Sequence, residues 1–471
     1  MAPPPSPKPL SHAVIFPFMA QGHTIPLLDF SKALSRRGLR VTILTTPANS
    51  SFILQSISDH PNILLHELDF PIVDGLPKGC ENTDRLPSMD LYVPFLRATR
   101  QLRRPFHRFL SQLSDLRDLP IFVISDFFLG WTLAVCREFD VPRLVFHGMG
   151  AFSMAVCKST IVHAPHKHTE TFAMPCLPER LKFSVVDLPG EVRDFDPERN
   201  PMCRFFVEIG ESDSESWGVV VNSSVEIEGD FVGPLESFYR NGAKAWCLGP
   251  MLLYSDEEDQ GTCVEGEPTC IEWLNQRATG SVIYVSFGTQ THMSDEQLDE
   301  VAMGLERSGC SFVWAIRFKT WCPTKGMEER IEGRGLMVRG WAPQRRILGH
   351  HAIGGFMSHC GWNSVLESLS MGVPILAWPM IAEQHLNAKL VEEEFGAGVR
   401  IPSVGLEAII GWASICKGVK ELMGGEDGRR ARERAQELGQ VARRATQDGG
   451  SSKKSLDELI KQLTSRGKCK C

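Results

Sequence analysis

The chain has 471 residues, of which 42% are hydrophobic and 23% charged, with a formal net charge of −7. That is the profile of a globular chain of two or three domains; it excludes a disordered protein and leaves no electrostatic case for nucleic acid or an anionic membrane as partner. No apolar run reaches transmembrane length, and the opening MAPPPSPKPL is polar and Pro-rich where a secretory signal would be apolar, so a cytoplasmic protein without stable membrane insertion is expected, its 14 cysteines buried as free thiols.

From His12 onward short apolar runs alternate with helical segments, the pattern of parallel sheets covered on both faces. Residues 13–18 read as a buried strand, 19–23 as the loop beyond its carboxyl end, and 25–34 as an amphipathic helix stopped at Gly38. Strands are predicted over 39–46 and 63–70, then a long helix over 91–113 interrupted by prolines. Another short strand, 121–125, delivers Asp126 to the sheet edge that His23 also occupies. A helix over 129–139, a strand over 143–146, a helix over 152–162 and strands over 219–222 and 245–248 complete a first unit, residues 1–250. The acidic, Gly-containing stretch within 251–268 reads as a linker.

The second unit, 269–450, opens with a short helix and a strand over 281–287, followed by Gly288 and Thr289. Ser294 with Gln297 three residues on is a capping-box pattern, which leaves Thr289 in the loop before the next helix. Strands over 312–316 and 336–338 lead into the most informative stretch, WAPQRRILGHHAIGGFMSHCGWNSVLESLSMGVPILAWPMIAEQ, residues 341–384. Within it 353–358 is a buried strand and His359-Cys360-Gly361 a polar turn. A helix starts near Trp362, with Val365, Leu366 and Leu369 at helical spacing and Gly372 with Pro374 as its stop. A helix N-terminus offers unpaired N–H groups and the positive end of a dipole, which together favour a phosphate. Asn363 and Ser364 add side-chain donors there, and His359 another. A second strand, 374–378, ends in a short loop before Glu383 and Gln384 open a further helix. Both loops belong at the carboxyl edge of one sheet, where open α/β sheets bind ligands. The Arg-rich segment 429–444, interleaved with acids, reads as a solvated helix, and 451–471 ends the chain as an amphipathic one.

Trp341, Gln344, the run His359 to Ser364, Glu367, Gly372-Val373-Pro374 and Glu383-Gln384 resemble the signature box of the plant family 1 UDP-sugar glycosyltransferases, and the stretch has the box's full length. The resemblance implies the GT-B architecture, two Rossmann-like parallel-sheet domains facing across a cleft, with the first binding acceptor, the second UDP-sugar, and the terminal helix packing back on the first. By resemblance Trp341 would stack on uracil, Ala342 would bond the base through its backbone, and Gln344 and Glu367 would hold the ribose. His359, Asn363 and Ser364 would bind the diphosphate, with Thr289 opposite. Trp362, Glu383 and Gln384 would face the sugar, glucose by the family's usual final Gln. Many members carry Asp where this chain has Glu383, whose longer carboxylate still reaches sugar hydroxyls.

His23 and Asp126 match the family's base and its partner, and the chemistry stands on its own terms. Imidazole titrates near operating pH, and a carboxylate on its second nitrogen fixes the tautomer and steadies the imidazolium. A base-activated hydroxyl attacking the anomeric carbon opposite the leaving UDP would invert an α-linked donor. Helix dipole and neutral donors would hold the diphosphate, so no metal is expected. Asp194-Phe195-Asp196, a metal-clamp pattern in other transferases, lies in a polar loop and reads as solvated, as does the His163, His166, His168 cluster. Phe18, Met19, Phe127, Phe128, Trp131, Met149 and Phe152 read mostly as core, some of them flanking the catalytic edge as an apolar acceptor pocket. The expected partners are UDP-glucose and a small phenolic or flavonoid-like aglycone, and the expected state is a monomer. Transfer to an aromatic carbon and a non-catalytic nucleotide-sugar binding protein remain alternatives. A nicotinamide-dependent reductase would need a Gly-x-Gly-x-x-Gly after the first strand, where this chain has Met19-Ala20-Gln21-Gly22-His23.

Overall fold

The computed structural model describes residues 11–254, 267–317, 320–401 and 409–468. The expected linker lies mostly outside the described residues, as do the Pro-rich opening and the terminal Cys469-Lys470-Cys471. In chain order the strands are β1 (His12–Phe16), β2 (Arg40–Thr45), β3 (Ile63–Glu67), β4 (Phe122–Asp126), β5 (Arg143–Phe146), a small hairpin of β6 (Thr171–Phe172) and β7 (Phe183–Ser184), then β8 (Gly218–Val221) and β9 (Lys244–Cys247). The second half supplies β10 (Val282–Ser286), β11 (Ser311–Ile316), β12 (Gly335–Arg339), β13 (Ile353–Ser358), β14 (Ile375–Ala377) and β15 (Gly398–Arg400). Apart from the hairpin they form two all-parallel sheets, ordered β3-β2-β1-β4-β5-β8-β9 and β12-β11-β10-β13-β14-β15.

Strands such as β10 (VIYVS) and β13 (IGGFMS) are buried along their whole length, which is why they read as continuous apolar runs and not as alternating ones. The paired glycines of β13 answer a close approach: a Cβ on Gly354 would stand 2.1 Å from the Gly280 carbonyl oxygen. In each sheet the order reverses beside the strand that opens the domain. β1 lies between β2 and β4, and β10 between β11 and β13. These are the switch points at which the loops diverge and leave a crevice.

Several element boundaries differ from expectation for local reasons. The helix expected at 25–34 runs Gln21–Arg36, so His23 stands in its first turn and not in a preceding loop. The long helix expected at 91–113 is broken into Tyr92–Ala98, a 3-10 turn Thr99–Leu102 and Arg103–Asp115. The helix expected from 129 begins at Thr132, after a 3-10 turn Phe127–Leu129 that the Asp126 side chain caps. Ser294 does cap the helix Asp295–Ser308, accepting from Gln297 N at 3.2 Å, and Gly309 ends it in the left-handed region.

The core is not partitioned by domain. One apolar cluster joins Phe152, Val219, Ile227 and Phe231 of the first half to Trp362, Val365, Leu366 and Leu386 of the second. Across the same seam the Trp362 indole N–H donates to the Asn222 carbonyl at 2.9 Å, and Ser153 Oγ to Asn387 Oδ1 at 2.7 Å. The terminal helix Ser451–Lys468 returns to the first half, where Leu456, Leu459 and Leu463 pack in a cluster with Ala13, Ile15, Val41 and Trp246. Among the described residues every cysteine is a free thiol, and no helix is long and apolar enough to cross a membrane. Leu459 has no solvent exposure, so Leu459→Ala should cost about 2–5 kcal/mol in urea unfolding; a loss below 1 kcal/mol would mean the helix is only laid on the surface.

Candidate functional site

The two switch points open onto one cleft of about 1250 Å³ between the halves. On the first sheet β1 leads into the helix carrying His23, and β4 ends in Asp126, so adjacent parallel strands deliver both groups to one edge. His23 Nδ1 donates to Asp126 Oδ2 at 2.6 Å, and Asp126 Oδ1 accepts the Phe128 N–H at 3.0 Å. Asp126 has no solvent exposure, whereas the His23 side chain keeps 21%. With Nδ1 committed to Asp126, Nε2 is the nitrogen left for the cleft. Phe18 and Phe128 flank the ring at 5.6 Å, and Gly148, at φ +74°, leaves room where a Cβ would touch it at 3.4 Å. Burial alone would depress the imidazole pKa; the Asp126 charge and hydrogen bond, with a smaller pull from Glu383, outweigh it and leave the pKa raised.

Beyond His23 the wall is apolar, formed by Phe127, Phe128, Met149, Val192, Met202 and Phe206. Phe18, Met19 and Phe152, expected among candidates for this pocket, are buried core residues, and Trp131 packs behind Phe16 and Phe106. The lobe also holds a polar group for which the sequence carried no signal. Asp213 accepts from His147 at 2.8 Å, from the Tyr239 hydroxyl at 3.0 Å and from Lys158.

The second sheet presents Thr289 after β10 and His359 after β13. Thr289 is exposed on the cleft wall. The turn beyond β13 puts Cys360 in the left-handed region at φ +63°, and Gly361 starts the helix Trp362–Ser370. A Cβ on Gly288 or on Gly361 would come within 2.6 Å of His359 Nε2, so the imidazole is wedged between two backbones that only glycine permits. Burial drives its pKa down to about 4, against a smaller upward pull from the Ser286 backbone. His359 is therefore uncharged at neutral pH.

The remaining box residues gather around the same end of the cleft. Trp341 is 38% exposed, with the Arg317 guanidinium 5.3 Å from its ring centroid, and the next residue, Ala342, is buried. Gln344 Nε2 donates to Ser364 Oγ at 3.0 Å and to Glu367 Oε2 at 2.7 Å. Glu367 Oε1 accepts from Arg345 Nε at 2.9 Å, and the same guanidinium grips Asp29 of the His23 helix through Nη1 at 3.1 Å and Nη2 at 2.7 Å. Burial would lower the Arg345 pKa; the two carboxylates raise it instead. Gln384 Oε1 accepts the Met380 and Ile381 N–H groups, both at 3.0 Å, which fixes its amide at the cleft wall. Burial raises the Glu383 pKa, against smaller pulls from its own backbone, Asn387 and His23.

Two expected ligand groups are engaged by protein instead. The Trp362 indole N–H belongs to Asn222, as above, and Asn363 Nδ2 donates to the Gly22 carbonyl at 2.6 Å. That carbonyl is available because Pro26, four residues on in the same helix, has no N–H to give it. Nothing local in the sequence marks Arg345 and Asp29, a pair 316 residues apart. Asp194 is spent on its neighbour Arg193, and Asp196 caps the Glu198 and Arg199 N–H groups. Among the described residues no three His, Cys, Asp or Glu side chains are grouped to hold a metal.

Comparison with known proteins places this architecture. Residues 12–252 match the family model described as glycosyltransferase, N-terminal domain, and 246–411 the model described as UDP-glucoronosyl and UDP-glucosyl transferase. UDP-glycosyltransferase 73B4 of Arabidopsis thaliana is 37% identical, covering 97% of this chain and 99% of its own. The scopoletin glucosyltransferase of Nicotiana tabacum is also 37% identical, over 96% and 98%. Among solved structures, Glycyrrhiza uralensis UGT73P12 complexed with glycyrrhetinic acid 3-O-monoglucuronide superimposes with a TM-score of 0.88 at 30% identity, covering 98% of this chain and 97% of that one. Phytolacca americana UGT2, complexed with UDP-2fluoro-glucose and pterostilbene, gives 0.81 at 27%, over 96% and 100%.

The opposite pKa shifts give a spectroscopic check. His23, raised, contributes stability that is full below pH 6.5 and fades as pH rises through its folded value; His359, depressed, contributes stability that is full above 6.5 and is lost as pH falls towards about 4. Ring-proton NMR titration should find the two histidines on opposite sides of 6.5. A His359 that titrates above 6 would overturn the wedged, neutral assignment.

Proposed function

Because this chain belongs to the plant UDP-glycosyltransferase family, enzymes that move a sugar from a UDP-sugar to small acceptors, we propose that it transfers glucose from UDP-glucose to a small apolar hydroxylated acceptor, phenolic or flavonoid-like, with inversion at the anomeric carbon. The observation that carries this reading is the His23–Asp126 bond of 2.6 Å at the foot of an apolar lobe, with Nε2 towards the cleft. The tobacco relative named for scopoletin and the Phytolacca structure holding pterostilbene support an aromatic hydroxyl as nucleophile.

In the proposed step His23 Nε2 takes the acceptor hydroxyl proton as the oxygen bonds to the anomeric carbon and the carbon–oxygen bond to UDP breaks on the opposite face. Asp126 steadies the imidazolium that results and holds the tautomer beforehand. Trp341 stacks on uracil, Ala342 meets its edge, and Gln344 with Glu367 takes the ribose. The diphosphate lies at the N-terminus of the Trp362 helix, with Ser364, Asn363, His359 and Thr289 around it; Glu383 and Gln384 meet the sugar hydroxyls. Neutral donors and the helix dipole take up the leaving charge without a metal. A nucleotide approaching Asn363 competes with Gly22 for its amide, so this donor is exchanged, not idle.

Incubating the purified protein with UDP-glucose and a phenolic panel in the presence of a chelator should add one hexose by mass spectrometry. A product that resists acid hydrolysis would mark the carbon-linked alternative, and no product with any sugar donor would overturn the reading. His23→Ala should lower kcat by on the order of 10²–10⁴-fold with UDP binding unchanged by calorimetry. Since the base must be unprotonated, the acid limb of kcat/KM should lie above pH 6.5; Asp126→Asn should move that limb to lower pH while lowering the plateau, and an unmoved limb would remove His23 from the rate.

A further inference from the structure

The helix Gln21–Arg36 is gripped from the opposite domain at two points on one face. Asn363 holds the Gly22 carbonyl, and Arg345 holds the Asp29 carboxylate through both terminal nitrogens. Gly22 and Asp29 are seven residues, two turns, apart, so both grips fall on the same stripe, about 10 Å from one another along the axis. His23 is the residue next to the first grip. Arg345 is also the link between this helix and the nucleotide half, since its third donor, Nε, is given to Glu367. All three side chains of the Asp29–Arg345–Glu367 chain are largely buried.

We propose that Arg345 and Asp29 form a strut that makes the setting of the His23 helix depend on occupancy of the nucleotide site, Arg345 being a positioning residue for sugar transfer. The inference rests on the reading of Glu367 as the ribose ligand. An ionised carboxylate has about four acceptor positions. Two on Glu367 are taken by Gln344 and Arg345, which leaves the outer pair for ribose hydroxyls. Ribose bound there fixes the plane of the carboxylate, and with it the guanidinium. A planar fork bonded in bidentate fashion to Asp29 passes that orientation on with little slack, which an ammonium on a flexible stem would not do. The helix is then held at Asp29 even as the nucleotide draws the Asn363 amide from Gly22, and Nε2 meets the acceptor at a fixed distance from the anomeric carbon.

A pair that merely fastened the halves together would behave differently when its arms are cut separately. Asp29→Asn removes the charge on the helix arm and leaves Arg345 on Glu367. It should bind UDP with a Kd within about twofold of wild type, while kcat at saturating UDP-sugar falls about 10- to 100-fold, the scale expected when a reacting group is displaced without being removed. Arg345→Lys, which cannot span both carboxylates, should lower kcat similarly and also weaken UDP. In wild type, UDP should slow amide hydrogen exchange over residues 21–36; in Asp29→Asn it should bind without that effect. The proposal is overturned if UDP leaves exchange over 21–36 unchanged in wild type, if Asp29→Asn retains kcat and the exchange response while only its melting temperature drops, or if it weakens UDP as much as Glu367→Ala does. The exchange arm needs UDP alone and no turnover, so an absence of transferase activity, which would sink the functional reading, is told apart from a failure of the strut.

Discussion

Asp126 is a carboxylate with no access to water, and how the imidazole beside the cleft is held follows from how that carboxylate is satisfied. One oxygen takes the Phe128 N–H and the other the His23 Nδ1–H, while Arg143 Nη2 donates to the carbonyl of the same residue at 3.0 Å. Withdrawing a partner from a buried acceptor of this kind costs on the order of 1–3 kcal/mol, more for a charged one. The imidazole is therefore tied to one tautomer and one orientation by burial itself, before any ligand arrives. The sheet supports the same result, because β1, which leads into the His23 helix, and β4, which ends in Asp126, are hydrogen-bonded neighbours.

The second half is organised by a different physics. Its histidine is stripped of charge by burial between Gly288 and Gly361, and the donors around it are amides, hydroxyls and a helix terminus. The ionised groups nearby, Arg345 with Asp29 and Glu367, satisfy one another across the cleft. One end of the cleft is thus organised by a single perturbed base, the other by dipoles and a shared guanidinium.

How much of this was legible in the sequence depended on whether the signal was local. The strand ends that deliver His23, Asp126, Thr289 and His359 to sheet edges are written in short apolar runs and turn residues, and the box from Trp341 to Gln384 is contiguous. The first helix starts at Gln21, ahead of the expected 25, for an identifiable reason. Pro26 looks like the opening of a helix, where its missing N–H does no harm. It sits in the sixth position because the Gly22 carbonyl it leaves unpaired is met by Asn363, 341 residues away. Arg345 with Asp29, and Trp362 with Asn222, escaped for the same cause: each is a contact between halves, and neither half carries a pattern that announces the other.

The apolar cluster that runs through the seam bears on how such chains diversify. Phe152, Val219 and Phe231 share one core with Trp362, Leu366 and Leu386, and Gly150 passes so close to the Trp362 ring that a Cβ there would lie 3.0 Å from it. The halves are thus two parts of one packed body and not interchangeable modules. A second half recombined onto the first half of a relative inherits a surface shaped for its former neighbour, so substitutions on either side of the seam must be accepted together. Trp362, which both halves must accommodate, is accordingly among the residues least free to vary alone.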